Sequence, residues 1–147
     1  GAYLEKERAR AAEMGYATPI QPDKASTDRD FDEALRRCIG DVDNVSMVIA
    51  SHNERSNRLA TELLRDRGLS ADHPHVHFSQ LYGMSDNITF NLARAGCRVS
   101  KYLPFGPLRD VVPYLMRRAR ENTSVAGQTG RELSLIRRER ARRKALG

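Results

Sequence analysis

Three short apolar runs, each followed by a polar turn and a helix-period stretch, constrain this chain more than any other feature. They are Val45 to Ala50 (VSMVIA), His75 to Ser79 (HVHFS) and Val99 to Leu103 (VSKYL). Runs this short suit strands, and β-branched character bounded by polar turns reads as buried parallel strand. Between them lie stretches of helical length. One runs from about Glu54 to Arg67 with the stripe Leu59, Leu63 and Leu64, and Gly68 stops it. Another runs from about Asp86 to Ala95, and a third, after the breakers Pro104, Gly106 and Pro107, from about Leu108 to Glu121. Strands separated by helical crossovers require a parallel sheet with helices outside it.

The flanks follow the same logic. Leu4 to Met14 is rich in helix formers and ends at Gly15. Tyr16 to Ser26, with two prolines, reads as a loop. Thr27 is expected to cap a helix whose apolar positions are Phe31, Ala34, Leu35 and Cys38, ended by Gly40. Gly1 to Tyr3 reads as the tip of one further strand, and a last helix is expected from Gly130 to Lys144. Polar residues gather where strands end: Ser51-His52-Asn53, then Gln80 to Gly83, then Tyr102. In a (β/α)₈ barrel those strand ends form the active-site face. Three βα units and a strand tip amount to the C-terminal half of such a barrel, an α/β fold of parallel strands with outer helices plus a terminal basic helix. The apolar opening, without an initiator Met, points to a piece of a longer protein.

Composition narrows the functional classes. No apolar run approaches the roughly 20 residues of a membrane span. Two cysteines, Cys38 and Cys97, are too few for a disulfide framework. No Gly-x-Gly-x-x-Gly follows a strand, which leaves a Rossmann dinucleotide site without support. His73, His75 and His77 have no nearby carboxylate pair, so no metal site is expected. The formal charge is +6, yet residues 131–147 carry seven basic and two acidic side chains, net +5. The high pI therefore belongs to the tail. Such a tail suits a solvated helix, nucleic acid or an anionic membrane surface, and its lack of aromatics argues against base stacking.

One helix stands out chemically. In Tyr114-Leu-Met-Arg117-Arg118-Ala-Arg-Glu121-Asn122, the two arginines sit about 100° apart, and Tyr114 lies one turn before both. Paired guanidiniums suit bidentate capture of a carboxylate, although a solvated helix face is the plainer reading. His52, between a strand and a helix start, is either a structural residue or one facing a polar ligand.

The ordered set resembles the second half of the proline dehydrogenase family, flavoenzymes on a (β/α)₈ barrel. Gly1-Ala2-Tyr3, Ala50-Ser51-His52-Asn53, Gln80-Leu81-Tyr82-Gly83-Met84, Tyr102-Leu-Pro-Phe-Gly106-Pro107 and the Tyr114 to Asn122 segment carry the likeness, in this order. It is greatest to the single-function branch and covers Gly1 to about Val125. The resemblance implies a division into residues 1–125, the barrel half, and 126–147, the basic tail. It implies that Arg117 and Arg118 bind the proline carboxylate, that Tyr102 and Tyr114 wall the ring, that Leu81 lies beneath it and that Tyr3 joins the pocket. It further implies that Ala2, Ser51, His52 and Asn53 lie along FAD, Lys24 near its phosphates and Glu121 near its ribose and adenine. Pro22 and Asp23 depart from the polar or basic residues common around those phosphates.

No residue of this chain is assigned a catalytic role by the likeness. The activity implied is oxidation of L-proline to Δ1-pyrroline-5-carboxylate by hydride transfer to flavin N5, with electrons passed to a quinone. The family's further lysine, aspartate and arginine precede the position of Gly1, so the chain alone is expected to be incomplete as an enzyme and to need an N-terminal barrel half. A bacterial cytoplasmic enzyme associated with the membrane is expected, with the matrix side of the mitochondrial inner membrane as the alternative. The tail is a candidate for peripheral membrane contact. Rival readings are an inactive half-barrel and a basic nucleic-acid-binding module, the second not favoured.

Overall fold

A computed structural model describes the backbone of residues 3–124 and 128–145 and the side chains of residues 3–118 and 133–145. Its elements are α1 (Leu4–Met14), α2 (Lys24–Gly40), β1 (Met47–Ala50), α3 (Glu54–Asp66), β2 (Val76–Leu81), α4 (Asp86–Arg94), β3 (Val99–Tyr102), α5 (Leu108–Ser124) and α6 (Gln128–Ala145). The chain divides into two units, Gly1–Tyr102 and Leu103–Gly147.

In the first unit the strands form a parallel sheet in the order β1-β2-β3. Met47 pairs with Val76 and Ala50 with Ser79, while Phe78 pairs with Val99 and Leu81 with Tyr102. Partners in a parallel ladder share a face, because side chains alternate along each strand. Met47, Ile49, Val76, Phe78, Gln80, Val99 and Lys101 therefore lie on one face. The buried ones pack with Leu35 and Ile39 of α2, Ala60 and Leu64 of α3, and Ile88 and Leu92 of α4. Phe78 at the centre has no exposed surface. Burial also pushes the Cys97 thiol up from its ordinary pKa, which marks it as a packing residue rather than a nucleophile.

Across the sheet lies the second face: Val48 and Ala50, then His77, Ser79 and Leu81, then Ser100 and Tyr102. Here Val48 is 63% exposed and Tyr102 52%. Parallel sheets are ordinarily covered on both faces. Within the first unit, among the described residues, α2, α3 and α4 pack on one side of the sheet, which is the layering of part of a barrel, in which the other face becomes the interior.

Helix boundaries are set by local chemistry. The sequence expectation that Thr27 caps α2 is corrected: Asp23 is the N-cap, and its carboxylate accepts from the Ser26 N–H at 2.7 Å. The loop expected through Ser26 accordingly stops at Asp23, and the Thr27 hydroxyl donates back to the Asp23 carbonyl at 3.1 Å. Buried Asp32 on α2 accepts from the Ser56 hydroxyl of α3 at 2.6 Å and ties the two helices together. The expected strand at Gly1 to Tyr3 finds no counterpart at Tyr3, which occupies the N-cap position of α1; Gly1 and Ala2 lie outside the described residues. The expected division at residue 125 also lies outside them. On α6, Glu139 accepts from Arg142 and Arg143, and these hydrogen bonds bring its pKa down to about 2. Part of the tail's positive charge is thus matched within the helix.

The Asp23 cap gives a pH signature. Hydrogen bonds from the Ser26 backbone and side chain hold the Asp23 carboxyl below the ordinary aspartate range. A depressed folded pKa stabilises fully above the unfolded value and is lost as pH falls through the folded one. Asp23→Asn is expected to keep the cap while flattening the acid limb of a stability–pH curve, and Asp23→Ala to lose both, as read by thermal melts between pH 2 and 6, a range of about four units around the carboxylate pKa.

Candidate functional site

The C-terminal end of the sheet is where the polar residues collect. β1 delivers the chain into Ser51-His52-Asn53, all half-buried, before α3 begins. Asn53 is the N-cap of α3 and accepts from the Arg55 N–H at 3.0 Å, while its own N–H donates to the Ser51 hydroxyl at 3.1 Å. The segment is therefore a tight turn held by its own side chains.

A second set of hydrogen bonds holds it from below. The fully buried Asn57 amide donates to the Ser51 carbonyl at 3.0 Å and to the Asn53 carbonyl at 2.8 Å. Gln80, only 2% exposed, extends its amide toward the Ser51 carbonyl at 3.4 Å and accepts from the Thr89 hydroxyl at 2.9 Å. Buried amides remain in a core only when their donors and acceptors are matched. Here they match the Ser51 carbonyl that a strand running into a helix leaves without a ladder partner, and add a second donor to the Asn53 carbonyl, which already takes the Asn57 backbone N–H.

From the neighbouring loop, the Ser85 hydroxyl lies 2.9 Å from His52 Nδ1. Lys101 on β3 donates to the Met84 carbonyl and pairs with Asp86 at 2.7 Å, which fastens the turn between β2 and α4. The loops after β1 and β2 are thus joined to each other and to β3.

Several sequence-predicted residues meet here. Leu81 and Tyr102 are register neighbours at the end of the uncovered face, and Ser51, His52 and Asn53 stand past the end of β1. One placement is corrected: Gln80 and Leu81 were expected past the strand end, but β2 extends through both. The apolar run stops at Phe78, whereas the ladder continues because buried Gln80 finds polar partners.

Others stand apart. Lys24 is an exposed first-turn residue of α2, paired with Asp28 one turn on, and no described contact joins it to the loop. Tyr3 is 75% exposed beside α1. Ala2 and the Glu121 side chain lie outside the described residues.

In the second unit α5 carries its own cluster. The Arg118 guanidinium carbon lies 5.2 Å from the Tyr114 ring centroid and that of Arg117 6.0 Å. Both cations stack on one phenol ring, at the distance where the ring quadrupole attracts them. Pro113, inside α5, has no N–H to give the preceding turn, so the helix lacks one rung just before Tyr114.

Sequence reasoning missed Asn57, Ser85, Thr89 and Lys101. Only Asn57 left a trace: it sits three and seven residues before Ala60 and Leu64, a polar gap in a buried stripe.

Comparison with known proteins places this geometry. The family model described as proline dehydrogenase matches residues 1–131. The chain is 41% identical over 152 residues to proline dehydrogenase 1, mitochondrial, of Caenorhabditis elegans, covering 100% of this chain and 25% of the relative. It is 44% identical over 151 residues to the Homo sapiens protein of the same name, again 100% and 25%. A hydroxyproline dehydrogenase of Bos taurus is 41% identical over 151 residues, 100% of this chain and 32% of that protein. Among solved structures, proline utilization A from Bdellovibrio bacteriovorus inactivated by N-propargylglycine superposes with a TM-score of 0.77 at 28% identity, over 86% of this chain and 13% of that one. The chain thus spans about a quarter to a third of the curated relatives it matches.

The buried clasp is directly testable. Asn57→Ala removes both side-chain donors, leaving the Ser51 carbonyl only the longer Gln80 contact and the Asn53 carbonyl only the backbone N–H of residue 57, a loss of about 1–3 kcal/mol. Urea denaturation should register that loss, and hydrogen exchange should quicken in residues 53–57. Unchanged stability and exchange would show that Asn57 does not hold the loop.

Proposed function

The chain belongs to the proline dehydrogenase family, and from that premise we propose that it forms the C-terminal half of a (β/α)₈ flavoenzyme oxidising L-proline to Δ1-pyrroline-5-carboxylate. The observation that carries this reading is the end of the uncovered sheet face, where Leu81 and Tyr102 sit side by side beyond a clasped Ser51-His52-Asn53 turn. An N-terminal barrel half would cover that face and complete the site. In this reading residues 1–125 belong to the barrel and 126–147 form an appended basic helix.

The substrate is a zwitterion with a small apolar ring. Its site needs fixed positive charge for the carboxylate and a dry wall for the ring. Arg117 and Arg118 supply the charge; Tyr102, Tyr114, Leu81 and Tyr3 supply the wall. The residues present fit a flavin, since the turn after β1 offers hydroxyl, imidazole and amide groups on a backbone fixed by buried amides. Ser51, His52 and Asn53, with Ala2, would hold FAD, with Lys24 toward its phosphates and Glu121 toward its ribose and adenine. When bound, the flavin supplies the acceptor for the hydride leaving the ring carbon next to nitrogen, and a quinone receives the electrons. This chain's part is to orient the carboxylate and exclude water from the ring.

Among the described residues no helix is long and apolar enough to cross a membrane. The mitochondrial names of relatives support a mitochondrial setting over the bacterial one, with α6 as a basic surface toward an anionic bilayer.

Two measurements in a barrel-complete protein carrying this chain test the reading. Arg117→Met and Arg118→Met are each expected to lose about 2–4 kcal/mol of binding, seen mainly as a raised KM for proline. Lysine should substitute poorly, because an ammonium lacks the planar fork. Unchanged kinetics would remove the pair from the site.

The second measurement concerns Tyr102. A ring wall at this position leaves little room for a hydroxyl on the substrate, and a hydroxyproline dehydrogenase is among the relatives. Tyr102→Ser should lower the ratio of kcat/KM for proline over 4-hydroxyproline by at least about tenfold. A ratio that stays constant or rises would show that Tyr102 does not gate the ring.

A further inference from the structure

Ser85 pays a conformational cost that its position as a helix cap does not explain. Among the described residues it is the one non-glycine with positive φ, at φ 52 and ψ 41. The left-handed region is unfavourable for a serine and persists where surrounding structure enforces it. Ser85 stands at the N-cap of α4, where serine is favoured because its hydroxyl accepts from the first turn, yet its side chain makes no capping hydrogen bond. The hydroxyl is instead 2.9 Å from His52 Nδ1, a residue 33 positions earlier. Ser85 is also buried, and its carbonyl accepts from the Ile88 and Thr89 N–H groups, so the backbone is fixed while the side chain reaches across to the other loop.

We propose that Ser85 is a positioning residue that acts through His52: its hydroxyl donates to Nδ1, fixes the ring plane and leaves the proton on Nε2. Neutral imidazole already favours that tautomer in water, and a partner at one nitrogen settles which nitrogen carries the proton. His52 then presents a donor nitrogen of defined direction at the end of the sheet. This rests on the reading of residues 51–53 as flavin contacts. The strained backbone is the means by which a serine on the β2–α4 turn aims its hydroxyl at the β1–α3 turn.

The test separates hydroxyl from backbone. Ser85→Gly accepts positive φ and removes the hydroxyl; Ser85→Asn tolerates the same conformation and restores a donor. In the full chain with ring-¹⁵N-labelled histidine, wild-type His52 should show a protonated Nε2 and an unprotonated, hydrogen-bonded Nδ1. Ser85→Gly should average the two nitrogens toward free imidazole, and Ser85→Asn should restore the difference. A proton on Nδ1 in the wild type, or unchanged shifts in Ser85→Gly, overturns the proposal.

In the barrel-complete protein, flavin dissociation constants for Ser85→Gly, His52→Ala and the double variant form a cycle. Ser85→Gly should weaken flavin binding about tenfold, the scale on which an outer partner tunes a ligand elsewhere, and add nothing once His52 is alanine. An equal effect in both backgrounds overturns action through His52. If His52→Ala leaves flavin binding intact while the ring signals behave as expected, the flavin reading of His52 fails and the serine–histidine pair stands.

Discussion

The turn after β1 depends on one buried amide. Asn57 gives its side-chain N–H groups to the Ser51 carbonyl, past the end of the sheet ladder, and to the Asn53 carbonyl, which also accepts the first intrahelical hydrogen bond of α3. Backbone carbonyls buried at such a junction need partners, and a primary amide supplies two donors from one side chain. With that pair satisfied, the turn can be both tight and polar at the end of a sheet whose core includes Ile49, Phe78 and Leu64. Gln80 and Thr89 extend the same matching into the next βα unit. The site end of the sheet is therefore a hydrogen-bonded layer set on an apolar one, and rigidity at the loops comes from below them.

The uncovered face answers to a different constraint. Its middle row, Ala50, Ser79 and Ser100, is small across all three strands, and the Ser100 hydroxyl donates to that of Ser79 at 3.2 Å. Small side chains in one layer suit a barrel interior, where bulk from alternate strands must interdigitate at close range. The helix-covered face is built on the opposite plan, with Phe78, Ile49 and Val76 filling the space under three helices. The same strands thus carry two packing regimes, separated only by the alternation of their side chains.

Much of this was legible in the amino-acid order because periodicity is a local property. The strands β1 and β3 and the helices α1, α3 and α4 lie within a few residues of where their apolar runs and glycine stops put them. Two errors have a shared cause. Asp23 rather than Thr27 caps α2, and β2 runs on through Gln80; in both cases a polar residue was given to a loop although its partners placed it inside or beside an element. The Asn57 clasp spans only four and six residues, but the ties from it to the next loop were out of reach for a further reason: Gln80 and Asn57 are 23 residues apart, and Ser85 and His52 are 33 apart. Only the register of a parallel sheet brings such residues together. Nothing local marks Ser85 as left-handed, since serine carries no such preference.

Stacking on α5 has a thermodynamic consequence of its own. Long cationic side chains usually surrender much rotational freedom when they grip an anion, and that lost entropy subtracts from the affinity their charge provides. Arg117 and Arg118 already rest against the Tyr114 ring. Part of their freedom is therefore surrendered during folding, and in the proposed carboxylate-binding role the helix would meet an anion with its donors partly set. An anion that fits the spacing gains from that prepayment. One that required the guanidiniums to leave the ring would first have to undo it, so in the proposed role a single tyrosine would filter ligands by shape as well as by charge.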